Sequence, residues 1–342
     1  MTQLFKSIAV LLGADPGKPR PEDYTDEART MHAEQRADKS RIAAIHAELA
    51  HKAQHKLPEK WRRRRWAVLI AVNLLFVLSF QLDIQMLEGA LTASRFDGFH
   101  FADLNSALQV MLAYKHVVTN LLIGTATVFV MWWLLGGRTF CSWVCPYHLL
   151  AEWAEMAHDY LANKKIVKDH PFDRRVRTVF WIVFAVLAFV TGYTVFETIS
   201  PTGILSRALI YGPGIALVWV ATLLLFEIFY SKRAWCRYAC PIGLTYGLVG
   251  AVSPLKVTYN LSTCFHEAEC KKVCEVPHVL DVVVKGRATD VDLLIGADCT
   301  HCGRCVDACP THSLNLEFKG LGQILKRSAS ETSPSSSARS GC

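Results

Sequence analysis

Charged residues are missing from four long stretches of this 342-residue sequence. These uncharged runs are Trp66–Leu82, Val117–Leu135, Val179–Val195 and Ala208–Phe226. An α-helix needs roughly 20 apolar residues to cross the hydrocarbon core of a bilayer, and each run is close to that length. Hydrophobic residues make up 51% of the chain, and a soluble protein of this size is usually more polar. The missing charges therefore exclude an ordinary soluble protein and predict four transmembrane helices.

Cysteine is absent from residues 1–140, and eleven of the twelve cysteines lie between Cys141 and Cys309. They occur in tight clusters, which are typical of metal ligation rather than of a disulfide framework. The last cysteine, Cys342, stands alone in a low-complexity tail, residues 321–342, that we predict to be disordered. The distribution therefore confines the expected metal chemistry to residues 141–309.

Basic residues are sparse on one side of the predicted helices, where the loops contain Arg95, Lys115 and Arg207. The other side carries basic clusters, beginning with "KWRRRRW" at residues 60–66. The positive-inside rule then predicts a multi-pass protein of the inner membrane, with both termini and every clustered cysteine in the cytoplasm. The net charge of +7 reflects this topology, so we expect membrane lipids and no nucleic acid among its partners.

The segment before the first apolar run, residues 1–65, lacks the basic start and the long apolar core of a signal peptide. Its composition predicts a polar, helical extension on the cytoplasmic side. The rest of the chain divides into a membrane domain at 66–250, a domain with the last cysteine clusters at 251–320, and the tail.

Two stretches that follow apolar runs repeat one motif. "RTFCSWVCP" begins at Arg138, and "RAWCRYACP" begins 95 residues later at Arg233. The matched pairs are Arg138 with Arg233, Cys141 with Cys236, Cys145 with Cys240, and Pro146 with Pro241. Two helices and one motif thus form a unit that occurs twice in the same orientation. Such a parallel repeat predicts a pseudo-twofold axis along the membrane normal, which places both motifs together at the cytoplasmic face.

The four cysteines of these twin motifs are candidates for one four-thiolate site. Proline suits the first turn of a helix, so Cys145 and Cys240 are expected just before helix N-termini. A helix dipole and a nearby arginine both favour the thiolate, and we therefore expect lowered thiol pKa values. Three chemistries remain open for Cys141, Cys145, Cys236 and Cys240: an iron–sulfur cluster, another soft metal, or a reversible dithiol.

The most specific motif is "DCTHCGRCVDACP" at residues 298–310. Its cysteines follow the C-x2-C-x2-C-x3-C-P run of bacterial ferredoxins, which favours an iron–sulfur cluster over zinc. They are Cys299, Cys302, Cys305 and Cys309. An upstream copy, "CFHEAECKKVCEVP", has Cys264, Cys270 and Cys274 at the matching offsets. Glu267 stands where this copy should have its second cysteine.

In two-cluster ferredoxins, the fourth cysteine of each run ligates the other cluster. One complete [4Fe–4S] site then consists of Cys274, Cys299, Cys302 and Cys305. The other site has the three thiolates of Cys264, Cys270 and Cys309. Its completion is open: ligation by Glu267, ligation by His266, a [3Fe–4S] cluster, or a [4Fe–4S] cluster with one open iron. We expect this incomplete cluster to be the more labile one.

With the repeat and the double ferredoxin motif in view, the chain resembles the NapH/MauN family of membrane ferredoxin-type proteins from Trp66 to Phe318. It is similar, less closely, to the membrane half of NosR-type regulators and to CcoG-type oxidase assembly proteins. The resemblance implies a mainly α membrane protein with a C-terminal α+β, bacterial-ferredoxin-like domain. It also implies metal ligation by the eleven clustered cysteines. Glu267 and the long N-terminal extension depart from the family pattern.

The resemblance further implies an electron-transfer subunit rather than a stand-alone enzyme. Electrons would pass between the quinone pool and a partner iron–sulfur or haem protein of a respiratory system, as in anaerobic respiration, or of a periplasmic dehydrogenase. Polar groups at membrane depth, His116 and Glu227, are candidate quinone contacts. The alternative function is that of a metalloenzyme assembly factor whose twin thiol pairs handle or reduce copper, since soft thiolates favour Cu(I).

Overall fold

The computed structural model describes residues 2–38, 40, 47, 59–82, 87–91, 93–96, 99–116, 118–264, 266, 268–284 and 286–318. Glu267 and the predicted tail at 321–342 lie outside the described residues, as does most of the segment 39–58. The described part is mainly helical, as predicted, and its strands form two small antiparallel sheets.

The first apolar run forms the helix Lys60–Gln81, which has 22 residues. Among the described residues, it is the one helix that is long and apolar enough to cross a membrane. Shorter apolar helices are Thr119–Leu135, Leu217–Phe229 and Pro241–Val252, and the third run forms Arg175–Thr191. Most of these helices are shorter than a membrane crossing requires, so the four transmembrane helices stay a prediction.

The fourth apolar run, Ala208–Phe226, is not one continuous helix, and that expectation is wrong. The helix Pro201–Tyr211 ends before Gly212, and the next helix begins at Leu217. The intervening Gly-Pro-Gly sequence explains the break, because proline lacks the N–H that an uninterrupted helix needs and Gly212 has a φ of +101°.

Two segments predicted as external loops contain helices whose first turns are buried. Asp103 caps the helix Leu104–Tyr114, accepting from the backbone N–H groups of Asn105 at 3.1 Å and Ser106 at 3.3 Å. The short helix Val195–Ile199 leads into the second one, Pro201–Tyr211. A small sheet precedes the first one and consists of Leu87–Ala90, Ala93–Phe96 and Phe99–Ala102. Both helices thus begin in the protein interior.

Each twin motif is a short helical segment followed by a longer helix. The elements are Thr139–Trp143 then Pro146–Asn163, and a π-helical turn Trp235–Ala239 then Pro241–Val252. The predicted helix starts at the two prolines are confirmed. Cys145 and Cys240 precede them with similar backbone angles, φ −65° and ψ 117° against φ −72° and ψ 113°. The two copies therefore have the same local geometry at the second cysteine.

Residues 255–318 form an α+β unit around a three-stranded antiparallel sheet. Leu255–Asn260 is the central strand, between Asp292–Leu294 and Leu314–Phe318. Short helical segments at Glu269–Lys272, Pro277–Leu280 and Arg304–Ala308 complete it. This unit agrees with the predicted ferredoxin-like domain.

The N-terminal extension packs against the rest of the protein. It forms the helices Thr2–Leu11 and Asp26–Ala37. Leu11 and Ala28 are fully buried, the first with Leu244 and the second in the core of the ferredoxin-like unit. The described part of the extension is therefore integrated into the fold.

Candidate iron–sulfur sites

The twin-motif cysteines meet in one cavity. Its volume is about 40 Å³, and it lies where the helices Pro146–Asn163 and Pro241–Val252 begin. The four cysteines that line it are Cys141, Cys145, Cys236 and Cys240. Two motif copies that are distant in the chain thus supply two thiols each to a single site.

Backbone N–H groups at both helix starts face the sulfur atoms of the preceding cysteines. They belong to Tyr147 and His148 in the first motif and to Ile242 and Gly243 in the second. Thr202, in the first turn of Pro201–Tyr211, adds a hydroxyl 3.1 Å from the Cys145 sulfur. Hydrogen bonds to ligand sulfur stabilise and tune an anionic cluster. The residues present therefore fit an iron–sulfur cluster held by four thiolates.

The thiol pKa values in this cavity are raised, so the expected lowering is wrong. Burial raises the pKa of Cys141 to about 12, although Arg138 beside it acts in the opposite direction. Burial likewise raises the pKa of Cys240 to about 11. The arginine and the helix N-terminus lower the thiol pKa values as predicted, but the free-energy cost of burying a thiolate is larger than both effects. Metal binding at this site must therefore displace protons from the thiols.

A buried ion-pair cluster joins the first twin motif to the ferredoxin run. Asp298, directly before Cys299, accepts from Arg138 and lies 3.0 Å from Arg177. Nε2 of His278 lies 2.7 Å from its other oxygen. Burial favours the protonated acid, but the two arginines and His278 hold the pKa of Asp298 well below its usual range. The carboxylate is therefore charged and holds Arg138 beside both groups of cysteines.

A second buried network surrounds Glu275, which follows the last cysteine of the upstream run. Arg65 donates to both Glu275 and Glu152. His148 Nε2 lies 3.2 Å from Glu275, and Arg233 lies 3.6 Å from it. The ligand atoms of His148, Glu152 and Glu275 lie within 4.8 Å of one another, but Arg65 bonds to both carboxylates. We therefore interpret the group as an ion-pair network rather than a metal site.

The complete ferredoxin site also surrounds a cavity, of about 10 Å³. The cysteines lining it are Cys274, Cys299, Cys302 and Cys305. They are the four that the crossed ligation of two-cluster ferredoxins assigns to one cluster. Val276 and Thr300 line this cavity and the twin-motif cavity alike. One layer of residues therefore separates the two groups of thiols.

The three remaining ferredoxin cysteines lie close together. Burial raises the pKa of Cys270 to about 12, and negative charge on Cys264 and Cys309 raises it further. The phenol of Tyr259 lies beside the same thiols, and burial together with their charge raises its pKa. The structure thus brings together the three thiols of the site that, by sequence, lacks a fourth cysteine ligand.

The candidate fourth ligands of this group differ in what the structure shows. Glu267 lies outside the described residues. His266 donates its backbone N–H to the Cys264 sulfur at 3.3 Å, and its ring Nδ1 lies 3.9 Å from the same sulfur. His266 is therefore placed beside the incomplete site.

The family model for a 4Fe-4S binding domain matches residues 117–168 and 212–259, which contain the twin motifs. A second model of the same description matches residues 296–315, which contain the ferredoxin run. Both groups of cysteines thus lie in stretches typical of 4Fe-4S proteins. No solved structure matches the chain.

Curated relatives match most of the chain. The ferredoxin-type protein NapH of Escherichia coli is 32% identical, and the match covers 73% of this chain and 88% of the relative. The methylamine utilization ferredoxin-type protein MauN of Methylorubrum extorquens is 29% identical over 82% of this chain and 97% of its own length. MauN of Paracoccus denitrificans is 31% identical over 70% and 84%. The chain belongs to the NapH/MauN family.

Membership of the NapH/MauN family and the 4Fe-4S domain matches identify an iron–sulfur electron-transfer protein. Within this NapH/MauN chain, the candidate quinone contact Glu227 has a structural role. It is buried, and its Oε1 accepts from the backbone N–H of Trp235 at 3.0 Å, which supports the turn of the second motif. The other candidate, His116, is exposed.

Several buried polar and charged side chains around the sites escape sequence reasoning. They are Arg65, His148, Glu152, Glu275 and Asp298. Asp298 and Glu275 carry a usable signal, because each is adjacent in the chain to a cluster cysteine. Arg65 carries none, since it is the last of four consecutive arginines that read as a topology signal.

Proposed function

We propose that this protein is a membrane-anchored electron-transfer subunit with three iron–sulfur sites in series. The membrane-proximal site consists of Cys141, Cys145, Cys236 and Cys240. The central site consists of Cys274, Cys299, Cys302 and Cys305. The outer site contains Cys264, Cys270 and Cys309. The observation that carries the proposal is that Val276 and Thr300 line both the membrane-proximal and the central cavity.

The order of the sites follows from their contacts. The central and outer sites are neighbours, because the helix Glu269–Lys272, which contains Cys270, packs against the helix Arg304–Ala308, which contains Cys305. The membrane-proximal site lies between the motif helices, where the apolar helices of the chain end. An electron entering from the membrane thus meets the three sites in sequence, each next to the following one.

Buried cations suit the membrane-proximal site to accept electrons. Arg138 and Arg233 both line its cavity and are nearly inaccessible to solvent. Fixed positive charge beside a cluster favours its reduced, more negative form, and burial strengthens the effect because water does not screen it. Quinol oxidation releases two electrons and two protons, and the electrons would leave singly along the clusters.

Exposed apolar surface supports a membrane location. Ile70, Leu74, Leu75 and Leu78 are each about half exposed on the helix Lys60–Gln81. Similar faces lie on Thr119–Leu135 and on the helices of the third and fourth apolar runs. Single exposed apolar residues are ordinary, but contiguous faces on several helices are typical of lipid contact. We assign the protein to the inner membrane as a multi-pass protein.

Both termini are assigned to the cytoplasm. The helix Asp26–Ala37 contributes Ala28 to the core of the ferredoxin-like unit, so the extension and that unit share one side of the membrane. The positive-inside rule places that side in the cytoplasm. A partner iron–sulfur or haem protein would then exchange electrons at the outer site, and the quinone pool at the membrane-proximal one.

The test is a redox titration followed by EPR on anaerobically purified protein, with iron and copper measured in the same samples. The variant Cys141→Ala/Cys236→Ala removes two ligands of the membrane-proximal site. Cys342→Ala, outside every cluster, is the matched control. We expect the double variant to lose iron and one EPR signal, and to lose reduction by a quinol analogue while dithionite still reduces the other clusters.

Two results would contradict the proposal. Unchanged iron with loss of bound copper would show a copper site at the twin motifs and favour the assembly-factor function. If a quinol analogue still reduces the remaining clusters in the double variant, electrons enter the protein at another site.

A further inference from the structure

Two carboxyl groups and one serine hydroxyl meet between the two halves of the repeat. Asp103 caps the helix Leu104–Tyr114 and is 4% exposed. Its Oδ2 lies 3.4 Å from the hydroxyl of Ser106, in the first turn of the same helix. That hydroxyl also bonds to Oε1 of Glu197, on the short helix Val195–Ile199. The three side chains therefore form one continuous row, Asp103–Ser106–Glu197.

This row needs one proton more than it has when both acids are ionised. A serine hydroxyl has one hydrogen to donate, whereas a carboxylate only accepts. Ser106 can thus donate to one acid alone, and its second contact is a hydrogen bond only if the other acid is protonated. Two like charges this close also disfavour ionisation of both acids. The geometry is that of two acids that share one proton.

Capping the helix does not require a charge at Asp103. Its carboxylate accepts from the N–H groups of Asn105 and Ser106, which an uncharged serine or asparagine cap also does. The matching helix of the second repeat, Pro201–Tyr211, also has 11 residues and begins after the neutral Ser200. Ionisable groups buried in a membrane domain are costly and mark proton relays among other functional sites. The acid at this cap therefore indicates a function beyond capping.

The inner end of the row adjoins the membrane-proximal cavity. The helix Leu104–Tyr114 packs against Pro241–Val252, from which the phenol of Tyr246 faces the Asp103 carboxyl. The Tyr246 ring stacks on Phe140 with 4.9 Å between the ring centroids, and Phe140 lines the cavity. Two aromatic rings thus lie between the carboxyl group and the cavity.

The outer end of the row lies in the segment that connects the third and fourth apolar runs. Glu197 is partly exposed, whereas Asp103 and Ser106 are buried. Arg207, which is exposed, donates to the backbone carbonyl of Glu197 at 3.1 Å. The positive-inside rule places this connecting segment on the non-cytoplasmic side. Solvent access therefore increases along the row from the interior towards that side.

We propose that Asp103, Ser106 and Glu197 conduct the protons of quinol oxidation to the non-cytoplasmic surface. The proposal rests on the proposed function, in which one quinol releases two electrons and two protons. Each proton is taken up by the carboxylate of Asp103. Ser106 then gives its own hydrogen to Glu197 as it takes one from Asp103, and Glu197 releases the proton to water. The electrons leave separately through the cysteine sites, so that charge is separated across the membrane.

The surroundings of Asp103 suit a group that binds and releases protons near neutral pH. Burial raises the pKa of Asp103, which lies outside the four apolar runs, to about 6. The ionisable groups that face it are Tyr246, whose phenol lowers this pKa, and Glu197, whose negative charge raises it. A pKa close to the working pH is what efficient proton transfer requires.

The experiment measures proton release by full-length protein in sealed proteoliposomes that contain a short-chain quinol. Ferricyanide, which does not cross the membrane, is added outside as the electron acceptor, with valinomycin and potassium to remove the membrane potential. It oxidises only molecules whose cytoplasmic side faces outward, so their non-cytoplasmic side faces a pH dye trapped in the lumen. We expect acidification of the lumen that a protonophore abolishes. Vesicles with Cys141→Ala/Cys236→Ala give the background of direct quinol oxidation.

Variants of the row keep its hydrogen-bonding shape and remove its protons. Asp103→Asn keeps a good helix cap and Glu197→Gln keeps an acceptor for Ser106, so both should retain every EPR signal and reduction by dithionite. We expect each to slow electron transfer from quinol to ferricyanide at least about tenfold and to abolish acidification of the lumen. Ser106→Ala should behave alike, whereas Ser106→Thr keeps the hydroxyl and should not. Thr198→Ala changes an exposed neighbour of Glu197 and should match the wild type.

Infrared spectroscopy tests the proton on Asp103 without any quinol. We expect a protonated-carboxyl band that titrates at a pH of about 6 in the wild-type protein and is missing from Asp103→Asn. The same spectra of Thr198→Ala should retain the band.

The outcomes separate the inference from the function beneath it. Wild-type rates and lumenal protons in Asp103→Asn would overturn the proton path alone, as would protons that appear only outside the vesicles. An infrared spectrum that is identical in the wild type and Asp103→Asn would overturn the shared proton and the path with it. Wild-type protein whose clusters no quinol reduces would overturn the proposed function, and the path would lose its source of protons.

Discussion

Asp298 precedes the first cysteine of the ferredoxin run and accepts from two arginines of different segments, Arg138 and Arg177. All three side chains are at most 3% exposed. A buried charge without a partner costs several kcal/mol, so each arginine depends on this carboxylate. At the scale of single residues, the contact between motif and ferredoxin-like unit is therefore electrostatic and hard to substitute.

We expect Asp298→Asn to lower the free energy of unfolding by about 3–5 kcal/mol, because it leaves two buried arginines without a charged partner. Thermal unfolding in detergent, followed by circular dichroism, measures the change. Asp26→Asn is the control. The side chain of Asp26 is 96% exposed and pairs with Arg29 at 3.3 Å, so the unfolding temperature should not change. Equal shifts in both variants would contradict the importance of the buried contact.

Close backbone packing joins the twin motifs at the scale of elements. Gly137, just before the first motif, has a φ of +69°. A Cβ added there would lie 2.4 Å from the backbone of both Tyr246 and Gly250 on the helix Pro241–Val252. Only glycine suits such an approach, because a side chain would have to displace backbone atoms. The shared cavity thus depends on an element of one repeat touching an element of the other.

Gly137→Ala should separate these elements. We expect a loss of about 1–3 kcal/mol from backbone strain alone, with a further loss from displaced backbone, and a weakened EPR signal of the membrane-proximal cluster. Gly214→Ala is the matched control, since a Cβ there meets no atom within 4 Å. Unfolding curves and iron content check both variants, and an unperturbed Gly137→Ala protein would show that the approach is dispensable.

The whole molecule is held together partly by its N-terminal extension. Leu11 is fully buried against the helix Pro241–Val252, and Arg177 donates to its carbonyl at 2.8 Å. Arg174 donates to the carbonyl of Ala14 at 2.8 Å. The extension therefore links the helical part, near the second motif, with the ferredoxin-like unit.

Leu11→Ala should lower the free energy of unfolding by about 2–5 kcal/mol, as for other buried leucines replaced by alanine. Leu12→Ala removes the same atoms from a residue that is 41% exposed, and we expect a much smaller effect. Differential scanning calorimetry in detergent compares the unfolding temperatures of the two variants. Similar midpoints for the two would indicate that the extension contributes little to the packed state.

Much of the candidate chemistry could be predicted from local sequence. The spacing of Cys299, Cys302 and Cys305 predicts an iron–sulfur cluster, because a short loop that wraps around the cluster brings all three sulfurs to it. Pro146 and Pro241 predict the two helix starts, because proline restricts its own backbone and suits the first helical turn. Runs of apolar residues predict the main helices, although within the described part of the chain only Lys60–Gln81 is long enough to cross a membrane.

The sequence by itself thus determined which residues carry thiols, where helices begin, and that one motif occurs twice. Only the tertiary structure decided that the twin motifs share a cavity and that this cavity adjoins the central site through Val276 and Thr300. It also decided the raised thiol pKa values and the contact of Ser106 with Glu197. The physical reason is range: spacing and backbone preference act over a few residues, whereas burial and charge pairing depend on segments far apart in the chain.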